Sequence, residues 1–332
     1  MAATTVKIVG LGAVGSRVAR QLASSPEVGT IALWDSNAPK TQAVAHSLGA
    51  AAKIDSSATS VELAPKLVVL ATPVGTHVEL AQAYLAQNIS VVSVSDSVED
   101  VQGLMGLDAE ARERGVSVVV GAGFSPGLSC VLAKHAGALF SQVEEIHVAT
   151  TGTGGPACAR QHHRALSSIS IDWRDGVWQS RQGGSGRTLC WFPDPVGAKD
   201  CYRAARPEAL LLAPAFPGLE RATSRVSATR RDRITAWLPM LYRPHPEGGP
   251  GAIRVEVHGR IDDRSDVVVY GVMDRPAVAA GGVAAVSALA VLNNTVLRQG
   301  AAGLAELVEP VPFLADLQRR GIKAAVFEGV TV

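Results

Sequence analysis

Three glycines, Gly10, Gly12 and Gly15, follow the apolar run VKIVG at 6–10 and open a helical stretch, a spacing that can hold a phosphate against the backbone. Gly10 permits the tight turn, Gly12 lets a pyrophosphate approach, and Gly15 lets helix and strand pack closely. Ala13 and Val14 lie where the helix N-terminus turns its N–H groups toward the anion. Asp35 closes the next strand, 20 residues after Gly15, where a carboxylate accepts from ribose hydroxyls and repels a 2′-phosphate. The expected cofactor is therefore NAD, with NADP left open because Lys40 is near in sequence. A ligand-free βα turn or an S-adenosylmethionine site would use similar glycines, and Asp35 also suits a turn before Asn37 and Pro39.

Ligands of open α/β sheets sit beyond the carboxyl ends of the strands, so ATPVGTH at 71–77 and SDSVED at 95–100 should line the cofactor. Thr72, Pro73, Ser95 and Asp96 are the candidates there, although the same residue types also cap helices for local reasons. For a substrate, Gly152–Pro156 leads into a helix with Arg160, His163 and Arg164 at three and four spacing. That pattern fits a carboxylate site, with Arg160 as the main charge and His163 as a proton relay, or a solvated basic face. Tyr202 is an alternative proton donor in LCWFPDPVGAKDCY, where Trp191, Phe192 and Asp194 form either a pocket wall or sheet core and turn. Cys130, Cys158, Cys190 and Cys201 show no CxxC pair and no zinc-finger histidine spacing, so no metal is expected and the thiols read as reduced and buried.

These groups need a frame. From 6 to 121, β-branched runs at 6–10, 30–35, 52–55, 67–72, 90–95 and 116–121 alternate with helical periodicity at 14–24, 38–48, 76–87 and 98–114. This predicts a Rossmann-type doubly wound parallel sheet over 1–127. Past 127, longer alternating segments at 143–152, 175–181, 188–192, 221–239, 252–261 and 265–273, joined by Gly, Pro and Asp turns, predict an α+β substrate and oligomerisation domain over 128–274 with a mostly antiparallel sheet. Arg225, Arg230, Arg231, Asp232 and Arg233 then fall in one strand, facing solvent or another subunit. Helices at 277–299 and 311–320 should return the tail, 275–332, to the first domain.

The 332 residues suit roughly two domains at about 150 residues each. Hydrophobic residues make up 47% and charged residues 18%, which excludes a disordered chain. With 31 Lys+Arg against 30 Asp+Glu there is no global positive field, so neither nucleic acid nor an anionic membrane is an expected partner. The apolar stretch from Ala277 to Leu292 is shorter than the roughly 20 residues a bilayer requires. A strand already begins at Val6, leaving no room for a signal sequence, and the expected location is cytoplasmic.

After the last strand of the first domain, Gly121-Ala122-Gly123-Phe124-Ser125-Pro126-Gly127-Leu128 resembles the loop entering the substrate domain of saccharopine dehydrogenase-like oxidoreductases. The resemblance extends to the amino-terminal glycine turn and to the strand end Val69 to Pro73. It implies metal-free hydride transfer between a nicotinamide and a carbon–nitrogen bond of an amino acid, amine or imine; the expected partners are a small substrate carrying a carboxylate and further copies of the chain in a homo-oligomer. A second reading is a glucose-fructose oxidoreductase-like sugar or polyol dehydrogenase. Such enzymes carry E-K-P after the fifth strand, and Val94-Ser95-Asp96-Ser97 offers no lysine there. A non-catalytic NAD-binding regulator is the third reading, which fold alone does not reject.

Overall fold

A computed structural model describes residues 4–240, 243–262 and 264–322 together with the backbone of 325–326. The first half of the chain runs β1 (Thr4–Val9), α1 (Gly15–Ala23), β2 (Val28–Trp34), α2 (Ala38–Leu48), β3 (Ala52–Ile54), β4 (Leu67–Leu70), α3 (His77–Leu85), β5 (Ser90–Ser93), α4 (Val98–Met105), α5 (Asp108–Glu113) and β6 (Ser117–Val120). Leu67 to Leu70 and Ser117 to Val120 are buried throughout, as continuous apolar strands of a parallel sheet covered on both faces must be. The single helix expected over 98–114 is two, because Gly103 and Gly106 weaken the stretch between an N-cap at Ser97 and the restart at Asp108.

The second half runs α6 (Leu128–Gly137), β7 (Gln142–Thr151), α7 (Pro156–Ala165), β8 (Ile169–Arg174), β9 (Val177–Gln182), β10 (Thr188–Phe192), β11 (Gly197–Arg203), α8 (Glu208–Leu212), β12 (Arg221–Ser227), α9 (Arg230–Thr235), β13 (Gly251–Ile261), β14 (Arg264–Asp274), α10 (Pro276–Leu292), β15 (Gly300–Gly303), α11 (Leu304–Leu307), α12 (Pro310–Arg319) and β16 (Ala325–Val326). Its sheet has the order β10-β11-β12-β7-β13-β14-β16, with β8 on β12 and β9 on β8. All its pairs are antiparallel except β12 with β7. The one strand expected over 221–239 ends at Ser227. Thr229 then accepts from the Asp232 N–H while the Asp232 carboxylate accepts from the Thr229 N–H, a capping box that starts α9. Arg230, Arg231 and Arg233 therefore lie on a short helix, and only Arg225 lies on a strand.

The tail fastens the two halves. Residues 300–303, just past the helix expected over 277–299, form β15, parallel to β6 at the edge of a seven-stranded sheet ordered β15-β6-β5-β4-β1-β2-β3. Gly300 takes a φ of 103°, open to glycine, and the Ala301 N–H donates to Asp108 Oδ1 at 2.8 Å. The glycines within α10 serve contact: a Cβ on Gly281 would stand 2.6 Å from the Cβ of Arg17, so α10 crosses directly on α1. Among the described residues, no helix is long and apolar enough to cross a membrane.

Candidate functional site

The carboxyl ends of β1, β4 and β5 face the N-terminus of α7 across a cleft of about 870 Å³. Gly10, Gly12, Ala13, Val14, Asp35, Thr72, Pro73, Ser95 and Asp96 all line it. Gly15 lies beneath, where a Cβ would fall 1.9 Å from the Gly10 carbonyl oxygen, so this glycine lets helix and turn meet. A Cβ on Gly12 would meet no atom within 4 Å, leaving an open cradle over the turn for a pyrophosphate. Asp35 sits at the end of β2 as expected, its Oδ2 accepting from the Leu11 N–H at 2.7 Å and its Oδ1 from the Asn37 N–H at 2.8 Å. Lys40 Nζ stands 3.7 Å from Asp35 Oδ2. The residues present fit a bound NAD or NADP.

Beneath the cleft, His77 is fully buried and engaged at both ring nitrogens. The Thr72 carbonyl can only accept, so Nε2 donates to it at 3.0 Å, and Nδ1 accepts from the Ser93 hydroxyl at 2.9 Å. Burial pushes the ring pKa down against the opposing pull of the Thr72 carbonyl, Asp100 and Asp96, and the ring is neutral. Asp100 accepts from the Gly75 N–H and, at 2.7 Å, from the Ser95 hydroxyl. Two buried polar chains thus fix the strand-end loops that carry Thr72 and Ser95.

At the far end of the cleft, Asp96 meets groups from the second half of the chain. Arg206, 1% exposed, donates from Nη1 to Asp96 Oδ2 at 2.6 Å. Its Nη2 donates to the Ser125 carbonyl and lies 3.4 Å from the Glu208 carboxylate, which accepts from the Ser125 hydroxyl at 2.5 Å. Burial works against the Asp96 carboxylate, but Arg206 and then His162 outweigh it and hold the carboxyl well below the usual carboxylate range. His162 and Cys158 stand one turn apart on α7 and both line the cleft. Burial also opposes a charged His162 ring. The Cys158 sulfur and the Asp96 carboxylate outweigh burial and Arg206 and lift the ring pKa to about 9. Arg206 Nη1 stands 2.9 Å from His162 Nε2, a hydrogen bond that the ring accepts only when neutral.

Asp96, Cys158 and His162 bring three ligand-type atoms within 4.8 Å of one another. Sequence spacing gave no sign of this, since Asp96 lies in the other half of the chain. Arg206 places a permanent positive charge against two of the three, an arrangement opposed to a cation there.

Arg160 lines the cleft and is exposed, as is Arg164 one turn on. His163 does not line it, because the i, i+1 step on a helix turns its ring away to Leu238, whose carbonyl stands 3.0 Å from Nε2. Tyr202 is 5% exposed in a small apolar cluster, with the Arg233 guanidinium 4.1 Å from its ring centre, and it too lies off the cleft. The cleft groups that sequence reasoning missed are Cys158, His162, Arg206 and Ser125. The i, i+4 spacing of Cys158 and His162 was a usable signal; nothing near Arg206 was.

Residues 4–122 match a protein-family profile described as an oxidoreductase family with an NAD-binding Rossmann fold. No curated protein matches the chain. Among solved structures, an apo saccharopine dehydrogenase (L-Glu forming) from Saccharomyces cerevisiae superposes with a TM-score of 0.72 at 14% identity, covering 98% of this chain and 100% of that one. An amine dehydrogenase from Mycobacterium smegmatis gives 0.56 at 12% identity over 92% and 96% of the two chains. GenD2 from gentamicin A biosynthesis, in complex with NAD, gives 0.51 at 16% identity over 99% and 97%. The chain has an NAD(P)-binding Rossmann domain and the overall fold of such oxidoreductases.

Proposed function

We propose that this chain is an NAD-preferring oxidoreductase that moves a hydride between the nicotinamide and the carbon of a C–N bond in an amino acid, amine or imine bearing a carboxylate. One observation carries the reading: Cys158 and His162, gathered with Asp96 within 4.8 Å and braced by Arg206, open into the same cleft as the glycine turn. Reducing an imine requires a proton beside the hydride, and oxidising an amine requires that proton's removal. The bound nicotinamide supplies or takes the hydride. Cys158 and His162 hold the proton, Asp96 and Arg206 fix the ring, and Arg160 offers an exposed charge for the substrate carboxylate. Thr72, Pro73 and Ser95, on loops fixed from below, shape the cofactor's reacting end.

The names of two structural relatives, a saccharopine dehydrogenase and an amine dehydrogenase, are in keeping with C–N chemistry. The sugar dehydrogenase reading lacks its lysine at Val94–Ser97. The test is NADH oxidation with a panel of 2-oxo acids and aldehydes, each with and without amines or amino acids, in the presence of chelator. Turnover that requires both carbonyl and amine is expected. Turnover on sugars or alcohols without any amine overturns the assignment.

A further inference from the structure

Three of the four cysteines are buried, and Cys158 alone is partly exposed. It is the third residue of α7, where backbone N–H groups lack partners within the helix and carry partial positive charge. His162 stands one turn further along, the Asp96 carboxylate completes a cluster within 4.8 Å, and Arg206 lies against both. Arg206 Nε is itself buried without a hydrogen-bond partner among the described residues. The sulfur thus shares its cluster with an imidazole that can take its proton, a carboxylate and the first turn of a helix, in a cleft open to small molecules. Partial exposure beside a histidine and at a helix N-terminus makes cysteines reactive, while apolar burial makes them inert. Cys130 is the contrast, its thiol pushed up to about 12 by burial.

We propose that Cys158 is a reversible thiol-modification site, taking a mixed disulfide from low-molecular-weight disulfides such as glutathione disulfide and thereby closing the substrate end of the cleft. As a thiolate, Cys158 Sγ attacks one sulfur of the small disulfide. The new Cys158 S–S bond forms as the old S–S bond breaks, and the departing thiolate takes the proton held by His162. The protein sulfur is oxidised as the released half of the disulfide is reduced, so no further oxidant enters, and excess thiol reverses the step. The small molecule's own carboxylates find Arg160 and Arg164 on the same helix. The modification does not depend on the proposed reaction; only its effect on turnover rests on that reading.

The protein is incubated with glutathione disulfide at neutral pH, and the adducts are located by peptide mass spectrometry. A single adduct on Cys158 is expected, forming at least about tenfold faster than on the same cysteine in urea-unfolded protein. Reduction with dithiothreitol should remove it, and NADH titration of the adduct should still show binding while turnover is lost. Cys158→Ser should take up no glutathione, and His162→Gln should slow the uptake. If labelling favours another cysteine, or folded and unfolded protein react at equal rates, the proposal fails. The location and rate of labelling decide this even if amine-dependent turnover is never observed.

Discussion

Two glycines of one turn should respond oppositely to substitution. A Cβ on Gly12 meets nothing within 4 Å, whereas on Gly15 it would overlap the Gly10 oxygen at 1.9 Å and stand 3.2 Å from Ala71 Cβ. Gly12→Val should therefore leave the folded protein as stable as the parent, with Tm within about 2 °C, as for an unconstrained surface change. Its side chain fills the space a pyrophosphate must enter, costing one charge-assisted hydrogen bond of about 1.5–3 kcal/mol. NADH affinity should fall roughly ten- to hundredfold. Gly15→Ala should lower Tm by several degrees, because backbone must move to relieve the overlap, at a cost of about 1–3 kcal/mol or more. Fluorescence titration with NADH and thermal unfolding measure both effects. A Gly12→Val protein that binds NADH like the parent, or that loses as much Tm as Gly15→Ala, refutes the division of labour between the two glycines.

Arg160→Ala should reduce kcat/KM for the carboxylate substrate roughly ten- to hundredfold while leaving NADH affinity unchanged, since it removes a charge-assisted hydrogen bond at the other end of the cleft. Asp35→Arg should shift preference from NADH toward NADPH in paired titrations; an unchanged ratio removes Asp35 from cofactor choice. Because the folded Asp96 carboxyl is held low, its contribution to stability is complete above the ordinary carboxylate pKa of about 3.9 and is lost as pH falls through the lowered folded value. The urea midpoint of Asp96→Asn should thus lie well below the parent's at pH 7, with the gap narrowing toward pH 3. Lys7 and Asp55 form a fully buried pair at 2.9 Å. Lys7→Met alone should cost about 3–5 kcal/mol, and Lys7→Met with Asp55→Leu much less, by chemical denaturation.

What the sequence disclosed and what it hid divide along physical lines. The placement of the glycine turn, Asp35 and the loops of Thr72 and Ser95 on one cleft was legible because a βα unit fixes position by local spacing. Strand, turn and helix follow one another within a few residues. The far end of the cleft is built from long-range contacts instead. Arg206 reaches Asp96 across 110 positions and Ser125 across 81, with no local pattern to mark either meeting. His162 and His163 are adjacent and chemically identical, so only the helix phase, set by how Ala159 and Ala165 are buried, decides which enters the cleft. The strand expected through Arg230 failed because a local capping box at Thr229 and Asp232 outcompetes strand propensity.

The same cluster joins the two halves of the chain. Asp96 comes from the end of β5, Ser125 from the loop after β6, His162 from α7 and Arg206 from the entry to α8. Arg206 is the one group that touches all three of the others. A guanidinium suits this place because its planar fork donates in several fixed directions and stays charged when buried, which a lysine does not. Removing Asp96 or Glu208 leaves that buried charge with one carboxylate fewer, so the position of the His162 ring and the seating of the second half of the chain on the first depend on the same few bonds. The α10 crossing on α1 and the β15 pairing with β6 hold the halves in the register those bonds require. The placement of His162 beside Asp96 in this chain is therefore a property of the interface between its two sheets.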